Sequence, residues 1–144
     1  MVTEGTPLMR ADHIAFRVAD IDAAIDFYTR SLGLKLLDRQ VDREHGEALA
    51  FLDLDGCRVE LIMLLDQNGD PVPHDPPVPT EPFCPHVALA VSDVDAKLDE
   101  LVKAGAQYLQ GPMELPGEVR WAYAADPDGN VIELVQWHKG ASAP

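Results

Sequence analysis

The apolar and polar positions of the chain run through one sequence of periods, and then run through it again. Residues 10–18 (RADHIAFRV) alternate, with Ile14, Phe16 and Val18 on one face and His13, Ala15 and Arg17 on the other. Alternation of period two predicts a half-buried strand. Asp20 stands where a helix N-cap is wanted, Ile21, Ile25, Tyr28 and Leu32 follow at helical spacing, and Gly33 supplies a stop. Three strands are then predicted at 34–41, 48–54 and 57–65, separated by the turn EHGE (44–47) and by Asp55-Gly56. The second pass has a strand at 86–91, the cap Asp93, a stripe of Val94, Leu98, Leu101 and Val102, and a stop at Gly105. Strands at 106–110, 118–125 and 130–137 complete it, around a loop GPMELPG (111–117) and a turn DPDG (126–129). Between the passes lies 66–85, which holds most of the twelve prolines and reads as a linker. The pattern predicts an α+β protein of two βαβββ modules, 10–65 and 86–137.

The duplication is also one of residue identity. His13 and His86 are offset by 73 (86 − 13), and Val18, Asp20, Asp22 and Ala23 recur at that offset as Val91, Asp93, Asp95 and Ala96. DGCRVELI (55–62) returns as DGNVIELV (128–135), so Glu60 and Glu133 keep the same offset. Each half thus offers a histidine at the head of its first strand and a glutamate in its last.

Composition narrows the function classes. A hydrophobic fraction of 47% supports a packed core. No apolar run is long enough to cross a bilayer, and MVTEGTPLMR lacks the apolar stretch of a secretion signal, so a cytoplasmic protein is expected. A net charge of −14 disfavours nucleic acid and anionic membrane as partners, since both need clustered cations. Cys57 and Cys84 form no CxxC pair and are expected as reduced thiols. His74 lies in the linker and is expected at the surface.

Taken singly, a histidine at a strand start is an ordinary hydrogen-bonded residue and a glutamate on a strand faces solvent. Their joint recurrence favours another reading. Alternation puts Glu60 on a face with Arg58 and Ile62, and Glu133 with Val131 and Val135, so each acid interrupts an otherwise largely apolar strand. An unpartnered carboxylate there would cost several kcal/mol, roughly, or shift its pKa. A divalent cation removes that cost, and two neutral imidazoles with two carboxylates balance its charge and leave coordination positions open. His13, Glu60, His86 and Glu133 are therefore the candidate metal ligands. A duplication can also keep such spacing without a metal. Trp121 and Tyr123 share a strand face and either wall a cleft or pack between the modules.

HIAFRVADIDAAIDFYTRSLGLKLL and AADPDGNVIELVQ resemble the vicinal oxygen chelate superfamily, which includes glyoxalase I, extradiol dioxygenases, methylmalonyl-CoA epimerase and antibiotic resistance proteins. The resemblance runs from about Arg10 to Trp137 and is strongest to glyoxalase I. It implies paired modules forming a curved-sheet cleft, a homodimer, and one divalent ion (Ni, Co, Zn, Mn or Fe) on His13, Glu60, His86 and Glu133. It further implies a lyase or isomerase of the lactoylglutathione lyase kind, working through an enediolate on a small substrate with vicinal oxygens. Glu133 or Glu60 would carry the proton, and Arg17 would bind the carboxylate of glutathione or another thiol. Where glyoxalase I usually has a Lys-Gly-Gly-type loop, this chain has the acidic GPMELPG. EHG (44–46) resembles the epimerase's Glu-Gln-Gly, which implies Glu44 as a catalytic base; its plainer reading is a solvated turn residue. The same family leaves three alternatives open: an iron(II) dioxygenase, an epimerase-like enzyme, and a metal-free antibiotic-binding protein.

Overall fold

The computed structural model describes residues 10–139. The first module is β1 (His13–Arg17), α1 (Ile21–Asp26), β2 (Leu36–Asp42), β3 (Glu47–Asp53) and β4 (Arg58–Leu64). The second is β5 (Val87–Ala90), α2 (Val94–Lys103), β6 (Gln107–Leu115), β7 (Val119–Ala125) and β8 (Val131–Trp137). Each forms a four-stranded sheet, in the orders β1-β4-β3-β2 and β5-β8-β7-β6. In both, the first strand pairs parallel to the last, because the helix crosses over the sheet between them. The two sheets with their helices are the expected α+β architecture of paired βαβββ modules.

The duplicated aspartates start both helices. Asp20 Oδ1 accepts from the backbone N–H of Asp22 and Ala23, both at 3.0 Å, and Asp93 Oδ1 from that of Ala96 at 3.0 Å. Each cap is worth about 1 kcal/mol. The helices bury Ile21 and Ala24 in one module and Val94, Leu98 and Leu101 in the other against the strand faces carrying Phe16, Leu61, Leu89 and Leu134. The first helix is not a single α-helix to Gly33 as its periodicity predicts. It continues from α1 as a π-helical segment, Phe27–Ser31, where the Thr29 hydroxyl donates to the Ile25 carbonyl at 2.7 Å.

A second departure concerns the expected loop at 111–117. β6 runs through Gly111 and Pro112 to Leu115, paired with β7, and only the following residues turn. Gly111 sits at φ 95°, and the pairing shifts between Gln110↔Tyr123 and Met113↔Trp121. The glycine thus absorbs a bulge, which a period-two reading takes for the end of the strand.

The modules are joined asymmetrically. Tyr28 Oη donates to Asp126 Oδ2 at 2.7 Å, Ala19 N to Asp128 Oδ1 at 2.8 Å, Asn130 Nδ2 to the Arg17 carbonyl at 3.2 Å, and Lys97 Nζ to the Ser31 carbonyl at 3.0 Å. The DPDG turn thereby docks onto the first module's strand and helix. No helix among the described residues is long and apolar enough to cross a membrane.

Candidate functional site

The parallel pairing of β1 with β4 sets His13 beside Arg58 and Ala15 beside Glu60, so His13 and Glu60 are near neighbours on one sheet face. His13 Nε2 lies 3.6 Å from Glu60 Oε1. In the second module Ala88 is opposite Glu133, and His86 Nε2 approaches Glu133 Oε1 to 3.0 Å. Each histidine meets an aromatic ring edge-on, Phe51 at 5.7 Å and Tyr123 at 5.4 Å between centroids.

The outer ring nitrogens decide what the inner ones present. His86 Nδ1 donates to the Cys84 carbonyl at 2.7 Å. A carbonyl oxygen only accepts, so this nitrogen carries the proton, and in the neutral ring Nε2 offers a lone pair. That lone pair faces a carboxylate oxygen, and a cation between them, a proton or a metal ion, would engage both. His13 repeats it, with Nδ1 2.7 Å from Asp12 Oδ2 and Nε2 directed to Glu60. Imidazoles with engaged outer nitrogens and carboxylates at their inner ones form a donor set that suits a divalent ion. Each pair contributes only two donors. Among the described residues no group of three or more His, Cys, Asp or Glu side chains is arranged to hold a metal. Among the described residues the four expected ligands therefore lie as two separate His–Glu pairs.

Around Glu133 the second sheet forms a cleft of about 740 Å³, lined by Ala88, Ala90, Val119, Trp121, Tyr123 and Trp137 with Leu115 and Val135. Trp121 and Tyr123 are among the residues that line it. Burial, and after it the negative charge of Glu133, pushes the Tyr123 hydroxyl above its ordinary value of 10.0. Trp137, Val119 and Leu115 were not singled out from the sequence. The signal for Trp137 was its period-two spacing from Glu133 and Val135.

Four strand residues are cationic: Arg17, Arg39, Arg58 and Arg120. Arg39 and Arg120 turn to the helices and pair with Asp22 and Asp95. Arg58 lies on the His13 face but is bonded to Asp12. Arg17, also on that face, makes no ion pair within the described residues, and its counterpart in the second module is Ala90. His13 and Arg58 hold the Asp12 carboxyl below the ordinary carboxylate value. Glu44 sits in the exposed β2–β3 turn, where His45 bonds Asp42. That turn adjoins Leu64 and Leu65, whereas His13 pairs at the Arg58 end of β4, so Glu44 is not brought to the His13–Glu60 pair within the chain.

A fold of paired βαβββ modules with a His–Glu pair on each sheet defines the class, and sequence comparison agrees. Residues 10–134 match the Glyoxalase/Bleomycin resistance protein/Dioxygenase superfamily, and the chain belongs to it. It is 33% identical over 129 residues to YwbC of Bacillus subtilis, covering 88% of this chain and 97% of that one. It is 32% identical to a probable lactoylglutathione lyase of Vibrio parahaemolyticus, covering 91% and 92%. Among solved structures it resembles the trypanothione-dependent glyoxalase I of Leishmania major, with a TM-score of 0.65 at 27% identity, covering 90% and 87% of the two chains.

Proposed function

We propose that the protein is a divalent-metal-dependent enzyme of the glyoxalase I kind, moving a proton between adjacent carbons of a small substrate with two neighbouring oxygens. The observation that carries this reading is the pair of half-sites, each a histidine with its outer nitrogen engaged and its inner nitrogen aimed at a glutamate. Likeness to proteins named lactoylglutathione lyase supports it. The ligands are His13, Glu60, His86 and Glu133, and the quartet is completed in a homodimer. There the His13–Glu60 pair of one protomer meets the His86–Glu133 pair of its partner, since each protomer alone has two incomplete halves.

The ion, when bound, supplies Lewis-acid polarisation of the substrate oxygens. The chain supplies the proton path and the enclosure. Glu133 or Glu60 takes the proton from one carbon and returns it to the next, so no external donor is consumed. Trp121, Tyr123 and Trp137 exclude water from the substituent they enclose, which favours an apolar or aromatic one. Arg17, on the His13 face and without an ion pair among the described residues, receives one carboxylate of a thiol adduct, of glutathione or of another thiol in this reading.

The test is turnover of methylglyoxal with glutathione, alongside phenylglyoxal with uncharged thiols, on protein loaded with Ni, Co, Zn, Mn or Fe. Metal-dependent isomerisation of any of these adducts supports the reading. Stoichiometric metal without turnover removes the substrate assignment, and a protein indifferent to chelators removes the metal.

A further inference from the structure

The two half-sites are duplicated in their ligands but not in what holds those ligands. Asp12 Oδ2 accepts from His13 Nδ1 at 2.7 Å and from Arg58 Nη2 at 2.5 Å. The Arg58 guanidinium carbon lies 4.5 Å above the centre of the Phe51 ring, and that ring meets His13 edge-on. The backbone adds a bond from Arg58 N to the Asp12 carbonyl at 3.1 Å. Asp12, Arg58 and Phe51 are therefore linked to one another around His13. At the 73-residue offset, Asp12 corresponds to Pro85 and Arg58 to Val131, so neither clamp residue exists in the second module. His86 is held there by a neutral backbone carbonyl.

We propose that Asp12, fixed by Arg58, is the positioning residue of His13, and that the two halves of the metal site are chemically unequal for this reason. A carboxylate bonded to Nδ1–H fixes the ring and its tautomer and makes Nε2 a stronger donor than a carbonyl does. Arg58 holds that carboxylate in place by a charge-assisted bond and by stacking on Phe51, against which its own position is fixed. Arg58 is thereby withdrawn from substrate binding despite facing the same way as His13. Asp12 touches neither Glu60 nor the cleft around Glu133, so it acts through His13.

This inference rests on the metal reading, and two measurements separate them. The first is the imidazole tautomer in metal-free, 15N-labelled protein, read by long-range 1H–15N correlation at about pH 9, above the ordinary imidazole range. Wild-type protein shows His13 and His86 as the Nδ1–H form. Asp12→Ala converts His13 to a mixture of tautomers and leaves His86 unchanged. Asp12→Asn, whose amide oxygen still accepts from Nδ1–H, retains the wild-type tautomer. The second is Co²⁺ affinity by competition with a chromophoric chelator: Asp12→Ala weakens it by about 10- to 100-fold and Asp12→Asn by less. An unchanged His13 tautomer together with affinity within about twofold of wild type in Asp12→Ala overturns the clamp. If His13→Ala itself leaves Co²⁺ affinity intact, the metal reading fails, while the tautomer result still decides whether Asp12 positions His13. Asp12 is more than half exposed, so its removal leaves the core untouched.

Discussion

Tyr28 Oη donates a 2.7 Å hydrogen bond to Asp126 Oδ2, joining the first module's helix to the second module's DPDG turn across 98 positions of chain. Both groups are buried. Asp126 also accepts from the backbone N–H groups of Asp128 and Asn130 and from Asn130 Nδ2, at 2.8–2.9 Å. Removing the tyrosine hydroxyl leaves Asp126 Oδ2 with Asn130 as its remaining partner. Tyr28→Phe is expected to destabilise the protein by about 1–3 kcal/mol, read as a lower midpoint in urea unfolding. An unchanged midpoint would show that the joint carries no stability.

The same carboxylate gives a pH dependence. Burial raises the Asp126 pKa above its ordinary 3.8, against the lowering pull of the Tyr28 and Asn130 hydrogen bonds. A folded-state pKa above the unfolded one means that the folded protein binds the proton more tightly. The contribution of Asp126 is therefore greatest below pH 3.8 and is lost as pH rises through the raised value. Asp12 and Asp95, whose pKa values are lowered, act in the opposite sense. They are common to the wild type and an Asp126→Asn variant, so subtracting the two unfolding free energies removes them. That difference is expected to fall from pH 3.8 towards neutrality, and a flat or rising difference would contradict the assignment.

Gly111 packs against the β7 backbone at Trp121, a residue that lines the cleft. At φ 95° a side chain is disfavoured, and a Cβ would lie 2.9 Å from the Trp121 carbonyl and 3.1 Å from the Ala122 Cα. Both are backbone atoms that can yield only by moving β7. Gly111→Ala is expected to cost about 1–3 kcal/mol in thermal or urea unfolding. It is also expected to broaden the NMR signals of Trp121, which a purely local effect at Gly111 would not do.

The cleft's aromatic lining sets which substrates gain from it. Trp121→Ala and Trp137→Ala are each expected to cost about 0.5–1.5 kcal/mol of transition-state binding, up to roughly tenfold in kcat/KM, for adducts of phenylglyoxal. Adducts of methylglyoxal should change less. Equal losses for both would show that these rings support the sheet rather than receive the substituent.

How much of this was legible in the chain can be judged residue by residue. The duplication singled out His13, Glu60, His86 and Glu133, and the parallel pairing of β1 with β4 and of β5 with β8 then brings His13 near Glu60 and His86 near Glu133. The π-helical segment was not legible, since Tyr28 and Leu32 fit an α-helical stripe equally well. Nor was the strand through Gly111, where a bulge interrupts the alternation without ending the pairing. The Tyr28–Asp126 joint has no repeat partner, since its counterparts by offset are Leu101 and Asp53, and repeat logic is blind to it. The Asp12–Arg58 clamp escaped for the same reason: comparing the halves draws attention to what they share. Which half meets which is set by surfaces between copies, and these leave no period in the sequence.

On the proposed reading, each metal site is built from the His13–Glu60 half of one protomer and the His86–Glu133 half of its partner. Two doubly substituted proteins test it, one carrying His13→Ala with Glu60→Gln and the other His86→Ala with Glu133→Gln. Each alone should bind no stoichiometric metal. Mixed in equal amounts and allowed to exchange subunits, they form heterodimers that each hold one complete quartet, so metal content should recover to roughly a quarter of the wild-type value. A mixture that stays metal-free while wild-type protein holds its ion would contradict pairing between protomers, and full metal content in either variant alone would contradict the quartet.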